Sequence, residues 1–537
     1  MSVNKKILFS PVGGTDPISN FRDASMLHIS RVYKPDVIYM FLSKEMYERH
    51  EKDNRYCYCL DRLGEMLNHK FEYKFEIRKD LKKVYDFDYF YKVFSREIFK
   101  IRKNMDEKLK DKKISAISLG CDKNRVDLEK MLFRLKEYGF EIVDDPSDAN
   151  IVIINTCAFI TPAKQEALDN IFQMCLLKDK NKLEKVLVSG CLAQRHRDEL
   201  LKQIPEVDAF LTVEDNANIC QVIERLYEIK YTKQKDIDGR IFTSRGSYAY
   251  LKIADGCSNV CSFCTIPRIK GRYRSFPMEK IVDEAKYLAK QNIKELVIVA
   301  QDSTRYGEDL YKKNCLIELC QKLAKIDGIE WIRLHYAYPE KVDEKLLNFI
   351  EKEPKMCKYL DIPLQHIDDR ILSSMRRKLD EEKTRKLVEK LTGEYHNIAL
   401  RTTFIVGYPS ETKKDFKKLC DFVEDTKFDY AGFFPYYREE NTPSYYMDGQ
   451  ISEWTKRRRL KKIQKLQSKV ASQKAKEKIG KVFKVLVDYF DETKGVYFGH
   501  TEFLSPTVDF GVEIVDNDNV KVGQFVTVKF IDFDGEN

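Results

Sequence analysis

At 537 residues, with 43% hydrophobic and 34% charged residues, the chain is long enough for about three or four domains with separate cores and has the composition of a soluble protein. Its net charge of +9, from 95 basic and 86 acidic residues, permits a nucleic-acid or ribosome-associated partner without requiring one. No apolar run approaches the ~18 residues of a membrane span.

The N-terminus, Met1-Ser-Val-Asn-Lys-Lys6, leads into one short apolar stretch without a cleavage-site pattern. The expected location is cytoplasmic, with no membrane partner. Fourteen cysteines spread over a Lys-rich chain with no signal peptide favour reduced thiols and metal ligation over disulfides.

In chain order, Lys6–Ser10 predicts a strand, Gly13-Gly14 a turn, the next stretch a helix and Asp36–Leu42 a second strand. This is the start of an α/β unit that stops after about two strands, near residue 100. The charged stretch Arg102–Lys113 reads as a linker or an exposed helix. A fresh α/β pattern follows, with a strand at Ile114–Leu119, a helix around Asp127–Tyr138 and a buried strand at Asn150–Asn155.

Cys121, Cys157 and Cys191 each end an apparent strand in this second block: Ser118-Leu-Gly-Cys121, Ile154-Asn-Thr-Cys157 and Val186-Leu-Val-Ser-Gly-Cys191. In a parallel α/β sheet the C-terminal strand ends gather on one rim, where sites are built, so three thiols far apart in sequence can meet there. A free cysteine is also commonly just a small core residue. The repeated context of strand, small residue and Cys favours a second three-thiolate cluster. Cys175, Cys220, Cys315, Cys320, Cys357 and Cys420 sit mostly in helical patterns and are expected to pack in cores.

From about Tyr248, strands such as Glu295–Ala300 and Arg401–Val406 alternate with amphipathic helices, which predicts a parallel, barrel-like sheet. Its first loop carries Asp255-Gly-Cys-Ser-Asn-Val-Cys-Ser-Phe-Cys-Thr-Ile-Pro267. The CxxxCxxC spacing of Cys257, Cys261 and Cys264 suits three irons of a 4Fe-4S cube, with the fourth iron left open. A zinc knuckle would want a fourth Cys or His nearby, and no His follows Cys264 within the next twenty residues. A three-ligand cluster of this kind resembles that of the radical S-adenosylmethionine (SAM) enzymes, where the open iron binds SAM.

Trp454–Gln467 predicts a basic amphipathic helix, either packed on the barrel with a solvated face or engaged with a partner. From about residue 480, short alternating strands at Lys484–Asp488, Val512–Val515 and Phe525–Phe530 predict a small OB-like β-barrel.

With both cysteine triplets in view, residues from about 113 to 537 resemble the methylthiotransferases, radical-SAM enzymes with an N-terminal cluster domain, a partial barrel and a C-terminal TRAM domain. The carrying motifs are Ser118-Leu-Gly-Cys-Asp-Lys-Asn-Arg-Val-Asp127, Asn155-Thr-Cys-Ala-Phe-Ile160, Ala163-Lys-Gln-Glu166, Ala300-Gln-Asp-Ser-Thr-Arg-Tyr-Gly307 and Asp361-Ile-Pro-Leu-Gln-His366. Asp122 departs from the family, which usually has Pro there. The resemblance implies an α/β multidomain fold. A CARF-like α/β fragment would occupy 1–100, a Rossmann-like cluster domain 113–235, a partial TIM-like (β/α) radical-SAM barrel 243–475 and an OB-like TRAM barrel 478–537.

The resemblance also implies two 4Fe-4S clusters and S-adenosyl-L-methionine. Cys257, Cys261 and Cys264 would hold the cluster that cleaves SAM to a radical, and Cys121, Cys157 and Cys191 the cluster that delivers sulfur. Thr403–Glu411 resembles the family's GxIxGxxxE element, with Ile405, Gly407 and Glu411 matching and Thr403 in place of the first Gly. These three residues and Phe263 would contact SAM or shield its cluster. Beyond the cluster ligands the resemblance assigns no catalytic side chain. An external electron donor and a sulfur source would be needed.

Gln301-Asp302-Ser303-Thr304 resembles the branch of the family that methylthiolates the β-carbon of an aspartate in ribosomal small-subunit protein S-twelve. The MiaB-like branch, which modifies a tRNA adenosine, typically carries Gln-Asn there. Residues 480–537 hold five Lys, no Arg and eleven Asp plus Glu, a formal charge of −6 that suits a basic ribosomal protein better than RNA. Residues 5–95, with Ile7–Pro17, Ser25–Ile29 and Lys34–Ser43, resemble the start of a CRISPR-associated CARF domain, a Rossmann-like sensor of cyclic oligoadenylates. Such a half-sheet reads first as a vestigial fusion, then as a degenerate docking module, then as a sensor.

Overall fold

The computed structural model describes residues 112–533, apart from 181, 214, 229–238, 244–245, 510 and 516–518, together with Leu109 and three strands of the first hundred residues. The chain divides into two units, Met1–Glu107 and Lys108–Asn537, and the division falls within the charged stretch expected as a linker.

In the first unit β1 (Ile7–Pro11), β2 (Val37–Ser43) and β3 (Glu72–Arg78) form a parallel sheet in that order. The third strand corrects the two-strand expectation. Tyr73, Phe75 and Ile77 alternate with charged residues, a period-two pattern that a search for dense apolar runs passes over. The Gly13-Gly14 loop lies outside the described residues.

The second unit opens with β4 (Lys113–Ser118), β5 (Glu141–Ile142), β6 (Ile151–Thr156), β7 (Lys185–Gly190) and β8 (Ala209–Phe210). They pair in parallel in the order β5-β4-β6-β7-β8. Strand β6 is buried along its whole length because helices cover both faces of a doubly wound sheet, and its run of Ile and Val fits that position. Helices Asp122–Tyr138, Thr161–Asp179 and Cys191–Gln203 follow β4, β6 and β7.

Next come β9 (Tyr248–Lys252), a two-stranded antiparallel pair β10 (Ala254–Asp255) and β11 (Arg274–Ser275), β12 (Glu295–Val299), β13 (Trp331–Leu334), β14 (Met356–Gln365), β15 (Ala399–Val406) and β16 (Tyr430–Pro435). Apart from the β10–β11 pair, these strands are all parallel and neighbours in chain order, the topology of a partial (β/α) barrel with β9 and β16 at its edges. Leu251, Leu296, Ile298, Leu334, Leu360 and Phe404 belong to the main apolar core with the surrounding helices. The alternate residues, among them Glu295, Arg333, Tyr359 and Arg401, therefore point to the other face of the sheet.

Strands β17 (Val482–Asp491), β18 (Val496–Thr501), β19 (Val512–Ile514) and β20 (Phe525–Lys529) form an antiparallel sheet in the order β19-β18-β17-β20. Buried polar groups fasten this sheet to the barrel. Arg333 pairs with Glu295 at 2.7 Å and donates to the carbonyls of Glu502 and Thr501 at 2.8 and 3.0 Å. The His500 ring lies between Asp488, at 2.7 Å, and Glu295, at 2.5 Å. Glu295 and Trp331 open their strands, so the contact is made at the N-terminal end of the barrel and leaves the C-terminal end for the cysteine loops.

The basic helix runs over Glu453–Lys476, starts at a Ser452 cap and buries Lys456, Arg459, Ile463, Gln467 and Val470. It is packed on β16 and on helix Lys413–Thr426, and its Arg457, Arg458 and Lys461 face solvent. Cys175, Cys315, Cys320, Cys357 and Cys420 are buried, in keeping with their reading as packing residues, and Cys220 is half-buried. Among the described residues no helix is long and apolar enough to cross a membrane.

Candidate active site

The loop bearing Cys257, Cys261 and Cys264 leaves β10 at the C-terminal end of the barrel. Gly256 begins it with φ +69°, and a Cβ there would lie 2.2 Å from the Arg272 carbonyl oxygen, so only glycine fits. The loop is held from several sides. Asn259 donates to Asp302 at 3.0 Å, the Ser262 hydroxyl meets Tyr408 Oη at 2.7 Å and the Ser374 carbonyl at 2.8 Å, and Ser444 N donates to the Ser262 carbonyl at 2.9 Å.

Each thiol has a defined environment. Asn259 N donates to Cys257 Sγ at 3.4 Å, and Cys261 Sγ lies 3.2 Å from Tyr338 Oη. Arg377 Nη1 reaches the same sulfur at 3.7 Å while its guanidinium covers the Tyr338 ring at 4.0 Å. Burial, with smaller contributions from the charge of their neighbours in the triplet, pushes Cys257 up to about 11 and Cys264 up to about 12. Cys257 and Cys264 become thiolates together only against a concentrated positive charge, which is what a metal centre provides.

The second triplet is assembled by the sheet. Cys121 caps the Asp122 helix after β4, Cys157 follows β6 and Cys191 starts the helix after β7. The register pairs Ser118 with Asn155 and Thr156 with Gly190, so the three strand ends are level. Gly120, with φ +103°, leaves no room for a Cβ, which would lie 2.9 Å from Cys157 Cβ. Gly190, with φ +89°, would place one 2.4 Å from the Thr156 carbonyl oxygen. Asn124 Nδ2 lies 3.6 Å from Cys191 Sγ and donates to the Thr156 carbonyl at 3.1 Å. Burial first, then the charges of Cys191 and Cys121, push Cys157 up to about 12, and burial likewise pushes Cys191 upward.

Two ion-pair nodes join the domains. Asp127, on the Asp122 helix, takes Lys252 at 2.7 Å and Lys270 at 3.2 Å, and Lys252 also pairs with Asp255 at 2.8 Å. Burial alone would raise the Asp127 carboxyl, yet the two lysines hold it down at about 2. Lys270 is within electrostatic reach of both Cys191 and Asp255, and the charge of Asp127 keeps its ammonium well above the usual lysine range against the cost of burial. At the second node the buried Glu439 carboxylate accepts from Thr161 at 2.9 Å and from Lys164 and Arg195 at 2.8 Å. Among the described residues no three His, Cys, Asp or Glu side chains close around a single metal ion.

Residues 113–212 match a family described as Uncharacterized protein family UPF0004, 251–423 the Radical SAM superfamily and 479–536 the TRAM domain. The chain is 44% identical to "Ribosomal protein uS12 methylthiotransferase RimO" of Acetivibrio thermocellus, over 79% of this chain and 96% of that protein. It is also 44% identical to the protein of the same name in Alkaliphilus oremlandii, over 75% and 92%, and 43% identical to that of Flavobacterium johnsoniae, over 79% and 96%. The chain belongs to the RimO family of methylthiotransferases. Among solved structures, a radical SAM methyltransferase, TsrM from Kitasatospora setae, is similar over 62% of this chain and 76% of its own, at 14% identity and a TM-score of 0.47, a likeness too slight to carry any inference.

As a RimO-family protein the chain is a radical-SAM enzyme that works with SAM and 4Fe-4S clusters. The residues expected at SAM fall in one region. Phe263 and Ile405 pack in one apolar group with Ile371, Met375, Tyr408 and Tyr436. Glu411 is buried, and its carboxylate accepts from the backbone N–H groups of Gly407 and Tyr408 and pairs with Arg459 at 2.7 Å. Burial, opposed by Arg459, raises it to about 7. Gly407 has φ +74°, and a Cβ there would meet Lys456 Cγ at 2.4 Å, so in this structure the close approach at Gly407 is made by the basic helix. Thr412 caps the following helix, in a capping box with Asp415.

Sequence reasoning missed Arg377, Tyr338, Lys270 and Glu439, which come from loops with no motif of their own. Asp127 ends the Ser118–Asp127 motif, the one signal available for the first node. A cavity of about 420 Å³ lined by Arg401, Tyr430, Gln467 and Asp509 has none of the six cysteines on its wall.

Proposed function

We propose that this chain methylthiolates an aspartate of ribosomal protein uS12. Cys257, Cys261 and Cys264 hold one 4Fe-4S cluster within a barrel domain at 243–475, and Cys121, Cys157 and Cys191 hold the other within a cluster domain at 113–235. Phe263, Ile405, Gly407 and Glu411 shape the place of SAM. When bound, these groups supply a radical that removes hydrogen from an unactivated carbon, together with the sulfur that replaces it. The chain's own part is to bring six thiols from two domains to one place and keep them there.

The observation that carries this reading is the Asp127 node: Asp127, six residues after Cys121, pairs with Lys252 at 2.7 Å, and Lys252 pairs at 2.8 Å with Asp255, two residues before Cys257. Buried ion pairs at Asp127 and Glu439 oppose sliding of one domain over the other, since separating them strands a charge in low dielectric. Arg377 puts positive charge beside Cys261 Sγ, and the neutral Asn124 amide offers a hydrogen bond to Cys191 Sγ.

The choice of uS12 over tRNA is supported by the names of the relatives and by the TRAM domain, proposed at 478–537. Two of its acids, Asp488 and Asp509, are engaged internally with His500 and Arg401, and the remainder still outnumber its five lysines. The surface therefore suits a basic protein. An electron donor and a sulfur source complete the reaction. The test is mass spectrometry of uS12 and of tRNA nucleosides from a strain lacking the gene. Loss of a methylthio group from uS12 with unchanged tRNA is expected, and unmodified uS12 in the parent strain overturns the reading.

A further inference from the structure

Six lysines and arginines are buried among the described residues: Lys123, Arg240, Lys252, Arg333, Lys456 and Arg459. Five of them have a carboxylate partner: Arg240 has Glu129, Lys252 has Asp127, Arg333 has Glu295, Lys456 has Glu453 and Arg459 has Glu411. Lys123 is only 6% exposed, and among the described residues its ammonium makes no hydrogen bond and no ion pair. The ring of Tyr336 lies against it, with the centroid 3.4 Å from Nζ. A ring face offsets part of the charge but accepts none of the three N–H bonds in the way an oxygen does. The stem is enclosed while Nζ itself still reaches solvent, so the ammonium is held without a carboxylate partner yet stays open to an incoming anion.

The surroundings are those of a prepared site. Lys123 lies in the first turn of the Asp122 helix, two residues after Cys121, and that helix has no side-chain cap at its positive end. Tyr336, just beyond β13 at the C-terminal end of the barrel, has φ +58°, an uncommon conformation for so bulky a residue. It is kept there by its Oη on Asp122, at 3.3 Å, and its N–H on Asp361, at 3.3 Å. Asp122, the residue that departs from the family's usual Pro, thus orients the ring on which Lys123 rests. The Lys123 charge is also felt by His335, on the inside of the barrel, whose pKa is driven down first by burial and then by Arg333, Arg401 and Lys123.

We propose that Lys123 receives the side-chain carboxylate of the aspartate to be modified and is the residue by which this site selects an acidic side chain. The inference rests on the uS12 reading above. The β-carbon of aspartate is bonded directly to the carboxylate carbon, so an ion pair at Lys123 fixes the reacting carbon beside the Cys121 triplet. Lys123 is a positioning residue; it exchanges no proton or electron in this role.

The experiment uses the full chain with both clusters, wild-type uS12, and uS12 carrying Asn in place of the modified aspartate. Binding is measured without reductant and turnover with it. For the wild-type enzyme, the Asn protein is expected to bind about 10- to 100-fold more weakly than the Asp protein, the range for a lost charge-assisted hydrogen bond. Lys123→Met is expected to bind both proteins equally weakly, with unchanged iron content. Lys123→Arg recovers part of the preference for Asp. A purely structural lysine gives the opposite pattern, an undiminished Asp-over-Asn preference in Lys123→Met, and that result overturns the proposal. Equal binding of the two proteins by the wild-type enzyme overturns it without reference to any variant. A wild-type enzyme that neither binds nor modifies uS12 overturns the substrate reading and this inference with it.

Discussion

Cys257, Cys261 and Cys264 share one loop, whereas Cys121, Cys157 and Cys191 come from the ends of three strands. The loop triplet depends on local features: a glycine that turns under the Arg272 carbonyl, and polar pins at Asn259 and Ser262. The strand triplet depends on register. A shift of β7 against β6 by one residue would turn Cys191 to the opposite face of the sheet, away from Cys157. The contrast teaches that two centres with the same donor set fail differently, the first by changes within its own loop and the second by damage anywhere in the three-strand frame.

The largest expected effect separates the two at once. Cys261→Ala should abolish release of 5'-deoxyadenosine from SAM, and continued release at the wild-type rate would remove Cys261 from the ligand set. Cys157→Ala should leave that release intact while eliminating the methylthio product and about half of the bound iron, as measured by product mass spectrometry and iron analysis. If both activities disappear together in Cys157→Ala, the centres are not separable in the way their geometry suggests.

Gly190→Ala probes the frame without touching a thiol. At φ +89°, with the Thr156 oxygen 2.4 Å from the added carbon, it should cost about 2–4 kcal/mol in denaturant unfolding and lower iron at the second centre alone. An equal loss of iron at both centres would mean that the loop triplet relies on the same frame.

The smallest effect is a control at the far end of the barrel. Burial opposes a charge on His500, but Glu295 and Asp488 outweigh it and raise its pKa to about 9. A group whose pKa is higher in the folded state stabilises fully below its unfolded value of about 6.5 and loses that contribution as pH rises through about 9. The melting temperature should therefore fall by a few degrees across that window, and His500→Gln should flatten the slope. Neither triplet should respond, since iron content and SAM cleavage belong to the opposite end.

Much of this arrangement was legible in the chain before any fold was known. The CxxxCxxC spacing confines three sulfurs to one loop whatever the barrel does, because eight residues of backbone cannot separate them far. The alternation of apolar strands with amphipathic helices fixes a parallel sheet, and the Gly-Cys and Thr-Cys strand ends indicate a rim. Register, by contrast, is a property of paired strands, so the meeting of Cys121, Cys157 and Cys191 required the sheet. Gly407 shows the same limit, since its missing side chain makes way for Lys456, a residue of a helix that begins well beyond it in sequence.

What the sequence determined by itself is the chemistry: which residue types can hold iron, how many, and on which kind of element. What only the tertiary structure decided is which charges have partners. Asp127 finds Lys252 and Lys270, Glu439 finds Lys164 and Arg195, and Lys123 finds none, because burial and pairing are set by residues hundreds of positions apart that meet only when the domains have packed.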